Sequence, residues 1–229
     1  MGPNIKLLDE FDIELAEAHG QRTQEWRDIR AGKFTSSEIH KLMGDPRSKE
    51  AKEAGEWSDA ANTYINTKVA EELTGQIHES ATANSLQWGI DMEPLAKEHF
   101  TLVTGKQVEY AGFKIYNSDA GGSSDGHVGD SLLEIKCAYN SGNHIEYLKL
   151  KKGIEIQKEY PEYWWQMQAN LLFNDKAMCY FVAFDCRFPE KQKMKIVEVY
   201  AHKEDQERLK ARIDKAILSK KALIELLTP

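Results

Sequence analysis

The sequence predicts an α/β (α+β) chain built as a central mixed β-sheet flanked by helices, and three observations carry that prediction. Helical signals dominate the first hundred residues, strand signals take over from about residue 113, and a helical stretch splits those strand signals into two groups. With 229 residues and 41% hydrophobic content the chain can bury a real core, and it shows no internal repeat or long linker. Residues 1–229 therefore read as a single domain.

Taken in order, "TQEWRDIRAG" is a helix stopping at Gly32, and "TSSEIHKLMG" opens with Thr35 and Glu38 at capping-box spacing and stops at Gly44. "DAANTYINTKVAEELTG" runs to Gly75, and "DMEPLAKEHFTLVTG" places Pro94 in a first helical turn and Gly105 at a C-terminal cap. "FKIYN" at 113–117, a hairpin at 123–137, "AMCYFVAF" at 177–184 and "MKIVEVY" at 194–200 are rich in β-branched and aromatic residues, as strands are. "PEYWWQMQANLLFN" has the length and period of a helix crossing the sheet, and a last helix spans about 203 to 227.

Composition narrows the function. No apolar run approaches the roughly 20 residues of a membrane span, and "MGPNIKLLDE" has no signal-peptide core, so a cytoplasmic protein is expected. Cys137, Cys179 and Cys186 form no CxxC pair and are odd in number, which argues against a disulfide framework and a zinc site. They read as reduced, mostly buried thiols. A formal net charge of -7 taken alone disfavours nucleic acid, yet net charge does not describe distribution. Lysines cluster within 146–153 and arginines recur in the first fifty positions; a solvated loop explains the lysines equally well.

The hairpin "SSDGHVGDSLLEIKC" poses the chemical question. If Gly129 and Asp130 make a two-residue turn, Val128 faces Ser131 and Asp125 lies opposite Glu134. Like charges opposed across a sheet destabilise it unless something positive intervenes. Lys136 shares the face of Glu134, while Leu133, Ile135 and Cys137 point to the apolar side. A divalent cation on oxygen ligands would resolve the conflict, held by Asp125, Glu134 and the Ile135 carbonyl, with Lys136 positioning or deprotonating an attacking water. The bare Glu-x-Lys pattern is equally compatible with a solvated hairpin.

Four segments in order, "WRDIRAGKFTSSEIHKLMGDPRS", "WGIDMEPLAKEHFTLVTG", "SSDGHVGDSLLEIKC" and "YWWQMQA", resemble the phage lambda exonuclease-like (YqaJ-type viral recombinase) family of PD-(D/E)xK nucleases over about 26–185. That resemblance implies a restriction-endonuclease-like fold, with Asp125, Glu134 and Lys136 as the catalytic set and Glu93 completing the metal site from a helix. It further implies that Tyr163 and Gln166, three apart on one helical face, stand near the substrate phosphate. Trp164, Met167 and Leu171 form the ordinary core stripe of that helix, and Trp165 fits either role. A pocket for a terminal 5′-phosphate is implied at Arg30, Ser37, Arg47 and Ser123; a lone arginine read without the resemblance is a surface ion-pair partner. Two departures stand out: Ser124 replaces the proline that commonly precedes the first Asp, and Ala138 the proline that often follows Glu-x-Lys-Cys.

The resemblance implies a 5′-to-3′ exonuclease, dependent on Mg²⁺ (two ions, with Mn²⁺ able to substitute), that trims one strand of linear double-stranded DNA for recombination by strand annealing. It also implies a bacterial or phage-infected host cell, a homotrimeric ring and an annealing-protein partner. Leu223, Leu226 and Leu227 of the last helix are candidates for the ring interface or for packing on their own sheet. The rival readings are an endonuclease of the same fold and a non-catalytic DNA-end-binding module.

Overall fold

The computed structural model describes residues 24–77 and 84–228, the first three of these by backbone alone. Helix α1 (Gln24–Arg30) leads through a turn at Gly32, φ 72°, into β1 (Phe34–Thr35), a 3₁₀ turn (Ser36–Glu38) and α2 (His40–Met43). Helices α3 (Lys49–Glu53), α4 (Asp59–Thr74) and α5 (Asn84–Thr104) follow. Ser58 caps α4 by accepting from the Ala61 N–H, and Gly75, φ 67°, ends it. The chain then gives β2 (Lys114–Asn117), β3 (Ala120–Gly122), β4 (Gly126–Val128), β5 (Ser131–Cys137), α6 (Ser141–Leu148), α7 (Glu155–Glu159), α8 (Pro161–Phe173), β6 (Met178–Phe184), β7 (Met194–Tyr200) and α9 (Lys203–Leu227).

Two sheets organise these elements where one was expected. The larger has the order β4-β5-β6-β7, with β5 and β6 parallel and the outer pairs antiparallel; the smaller has the order β1-β3-β2. Parallel β5 and β6 need a long crossover, which α6, α7 and α8 supply. One face of the large sheet packs Leu132, Phe181, Val197 and Val199 against Trp164, Met167 and Leu171 of α8 and Ile213 of α9. The other packs Leu133, Ile135, Val182 and Phe184 against Ala96 and Phe100 of α5. Helices thus cover both faces, as the sequence predicts. Trp165 is buried in the core, with Arg208 lying 5.6 Å from its ring centroid.

Other local expectations need correction. The Thr35–Glu38 capping box does not form: the Thr35 N–H donates to the Tyr64 hydroxyl at 2.8 Å and Glu38 pairs with Lys41, so a 3₁₀ turn replaces the first helical turn. Pro94 lies inside α5, which begins at Asn84, so the Ile90 carbonyl loses its helical donor. Strand β3 was missed because "AGG" carries no strand signal; its glycines answer to space, since a Cβ on Gly122 would stand 2.3 Å from Ser36 Oγ and 2.6 Å from Asn170 Oδ1. Cys179 is buried and Cys137 half-buried, but Cys186 is exposed. In the lysine run, Lys149 pairs with Glu146 at 2.7 Å, and the N–H groups of Lys151 and Lys152 donate to Glu155. Leu223 packs against the core, whereas Leu226 and Leu227 are exposed.

The last helix is fastened by a buried cation. Lys220, 1% exposed, pairs with Asp119 at 2.5 Å and Glu72 at 2.6 Å and donates to the Gly32 carbonyl at 3.0 Å. Removing one partner of a buried pair strands the others' charge. Lys220→Met keeps the side-chain bulk and is expected to cost about 3–5 kcal/mol in urea unfolding. Exposed Leu102→Ala should stay within about 0.5 kcal/mol.

Candidate active site

The site begins with the turn of the hairpin. Gly129 takes a positive φ of 58° at the first turn position, where glycine is favoured, and Val128 pairs with Ser131. The ladder continues through Gly126–Leu133, and the Asp125 N–H donates to the Leu133 carbonyl at 2.9 Å, which sets Asp125 against Glu134. Beyond it the strands part. The Ile135 N–H donates to Asp125 Oδ2 at 2.6 Å, so a side chain takes the place of the next ladder bond. Strand alternation aims the Ile135 carbonyl at that same opened edge.

Glu134 is buried, with Oε1 accepting from Lys136 Nζ at 2.7 Å. Its Oε2 is buried without a hydrogen-bond partner. The Lys136 ammonium also donates to Gln166 Oε1 at 3.1 Å and lies 4.6 Å from the Tyr163 ring centroid. Tyr163 and Gln166 thus share the face of α8 turned to β5. The Tyr163 hydroxyl is 3.3 Å from that of Tyr147.

Charge in this cluster is unbalanced. Burial, then the neighbouring Glu134, pushes the Asp125 carboxyl up to about 8. Burial also raises Glu134, against the pull of Lys136. Burial alone would lower the Lys136 ammonium, yet Glu134 and Asp125 outweigh it and hold it above the ordinary range. One ammonium faces two opposed carboxylates, and Glu93 adds a third on α5, where Lys97 pairs with it at 2.7 Å. Among the described residues no three His, Cys, Asp or Glu side chains stand grouped to hold a metal ion. The donors nevertheless suit a hard cation: they are oxygens, and one buried carboxylate oxygen of Glu134 lacks a partner.

A single cleft of about 630 Å³ gathers all but one of the residues singled out in the sequence. Asp125, Glu134, Ile135, Lys136, Glu93, Tyr163 and Gln166 line it beside Arg30, Ser37 and Ser123. Arg47 does not: it is exposed in the loop between α2 and α3. Arg30 is the last residue of α1; burial lowers its pKa against the pull of Tyr64, Glu38 and Glu71, and its guanidinium lies 5.6 Å from the Phe113 ring centroid. The turn after Arg30 is pinned by the Gly32 N–H to Glu71 Oε2, 3.1 Å, and Asn170 holds the Ser123 carbonyl at 3.2 Å. Sequence reasoning missed Tyr147 and Asn143 as lining residues. The signal was present: Asn140 caps α6 by accepting from the Gly142 N–H at 2.9 Å, and a helix from there carries both into the cleft.

The sequence pattern of the YqaJ-like viral recombinase domain matches residues 25–177. No curated protein matches the chain. Among solved structures, the alkaline exonuclease LHK-Exo from Laribacter hongkongensis is similar at 28% identity and TM-score 0.74, covering 90% of this chain and 96% of its own. The same exonuclease in complex with dAMP gives TM-score 0.75 at the same identity and coverage. A phage-related exonuclease from Haemophilus somnus 129PT, 19% identical, shares the fold at TM-score 0.70, with 89% of this chain and 100% of that one covered.

The raised Asp125 pKa has a measurable sign. Between the ordinary aspartate value, about 4, and about 8, the folded metal-free protein binds a proton that the unfolded chain does not, so this group's stability contribution is lost as pH rises. In chelator, Asp125→Asn should therefore gain melting temperature relative to the unmutated protein on going from pH 5 to pH 9. A constant difference across that range would show that Asp125 does not carry the repulsion.

Proposed function

Because the chain belongs to the YqaJ-like viral recombinase family, we propose that it is a divalent-metal-dependent exonuclease acting 5′ to 3′ on one strand of linear double-stranded DNA. The product would be a 3′ single-stranded tail suited to strand annealing. One observation carries this reading: the acidic cluster at the open end of the hairpin shares a cleft with Arg30, Ser37 and Ser123, groups suited to a terminal phosphate. The alkaline exonuclease likeness supports the nuclease class, and dAMP, bound by that relative, is of the class an exonuclease releases.

Asp125, Glu134, Glu93 and the Ile135 carbonyl would hold Mg²⁺ ions, with Mn²⁺ able to replace them. A bound divalent ion supplies activation of water and stabilisation of charge on the scissile phosphate. Lys136, fixed between Glu134 and Gln166, offers its remaining ammonium proton to the attacking water or a phosphate oxygen. Gln166 and Tyr163 keep that ammonium on the cleft side of α8. Arg30 presents a planar fork, which suits a phosphate dianion and gives a hydroxyl end little.

At a net charge of -7 general attraction for DNA is weak, so sustained digestion calls for enclosure. A closed homotrimeric ring provides it, with the exposed Leu226 and Leu227 available to a neighbouring copy. An annealing protein would take the tail, inside a bacterial or phage-infected cell.

Asp125→Ala and Glu134→Ala should each abolish digestion of linear duplex in Mg²⁺ and weaken metal binding. Lys136→Ala should still hold DNA ends but turn over at least about a hundredfold more slowly. Cleavage of closed circular DNA by the unmutated protein would instead identify an endonuclease.

The phosphate end of the cleft gives a separate test. A 5′-phosphorylated duplex should be digested faster than a 5′-hydroxyl duplex, and Arg30→Ala should bring the two rates together. Equal rates in the unmutated protein would remove Arg30, Ser37 and Ser123 from the site.

A further inference from the structure

Arg187 lies outside the cleft lining, on the turn after β6, yet all three of its guanidinium nitrogens are engaged. Nε donates to Asp185 Oδ1 at 2.7 Å and Nη2 to Asp185 Oδ2 at 2.8 Å, a bidentate pair on a carboxylate with no exposed surface. Nη2 also donates to the Ala138 carbonyl at 2.8 Å, and Nη1 to the Tyr139 carbonyl at 3.1 Å. The flat of the group covers Trp88 of α5, 4.4 Å from the ring centroid, and Trp88 meets Tyr139 edge-on at 6.3 Å. Close by, Cys186 Sγ lies 3.7 Å from Met92 Sδ on the same stretch of α5.

These contacts join two segments that the acidic cluster needs in register. Ala138 and Tyr139 directly follow β5, the strand of Glu134 and Lys136; Trp88 and Met92 precede Glu93 on α5. Pro94 divides α5 just after Glu93, and beyond it Ala96 and Phe100 anchor the second half to the sheet. The first half, with Glu93, lies on the other side of that weakened turn. Just past the end of β5, Arg187 holds the Ala138 carbonyl.

We infer that Arg187 is a positioning residue that clamps the Glu93-bearing half of α5 to the end of β5 and so sets Glu93 against the Asp125–Glu134 pair. The inference rests on the proposed metal-dependent reading of that cluster. Lysine cannot replace the arginine here, because an ammonium has neither the fork for Asp185 and two carbonyls nor a planar face for Trp88.

The test compares the unmutated protein with Arg187→Ala, Arg187→Lys and Trp88→Leu. Mn²⁺ affinity is read by electron paramagnetic resonance, amide hydrogen exchange across 84–93 and across β5 to β7, and digestion of linear duplex. Arg187→Ala should weaken Mn²⁺ binding about tenfold or more and speed exchange in 84–93, while β5 to β7 keep their protection, which separates misplacement of α5 from general unfolding. Arg187→Lys should behave like Arg187→Ala, and Trp88→Leu should shift both readouts in the same direction. Unchanged exchange in 84–93 for Arg187→Ala, or unmutated Mn²⁺ affinity in Arg187→Lys, overturns the inference. A protein that binds Mn²⁺ tightly but leaves DNA intact removes the nuclease reading and leaves the clamp standing. Failure of the unmutated protein to bind Mn²⁺ overturns both.

Discussion

Everything around the cleft answers to one constraint: Asp125 and Glu134 oppose each other where a hairpin comes apart. A paired sheet would resist that arrangement, and the chain accommodates it by starting β4 only at Gly126, so that Asp125 Oδ2 takes the Ile135 N–H in place of a ladder partner. The opened edge is what makes room for a ligand. Lys136 neutralises part of the charge through Glu134, and its own position depends on Gln166 and Tyr163 of α8. The crossover between the parallel strands is therefore also the support of the ammonium.

Much of this was legible because it follows from alternation. The Gly129–Asp130 turn fixed the register, the register fixed which side chains share a face, and β2, β4 to β7, α4, α8 and α9 appear close to where periodicity and caps place them. Illegible parts share a physical cause: they are specified by distant partners. Strands β1 and β3 are two and three residues long and exist because they pair with each other and with β2. The capping box at Thr35 fails because Tyr64, far along the chain, claims the N–H that Glu38 needed. Pro94 suggested a helix start, yet α5 extends ten residues before it.

The site shows the same division. Asp125, Glu134, Lys136, Tyr163 and Gln166 lie on regular elements whose faces sequence can assign, and all line the cleft. Arg30 and Arg47 look alike in sequence, both being arginines near glycine or proline. Arg30 lines the cleft because Glu71, Lys220 and Asp119 pin the turn behind it, whereas Arg47 lies exposed on its loop. Arg187 offered no signal at all, since its importance lies in carbonyls 48 and 49 residues earlier and in an aromatic face on another helix.

The buried Lys220 ties the Arg30 end of the cleft to the order in which the chain is made. Its ammonium reaches the Gly32 carbonyl across 188 residues, so the turn behind Arg30 lacks one of its supports until α9 has left the ribosome. At 5–20 residues per second that interval is roughly ten to forty seconds. During it the hairpin of Asp125 and Glu134 is already complete in sequence, while the turn behind Arg30 still waits for its last tie. The Arg30 end of the cleft is thus the last part of it to be completed, its final tie arriving with the last helix of the chain.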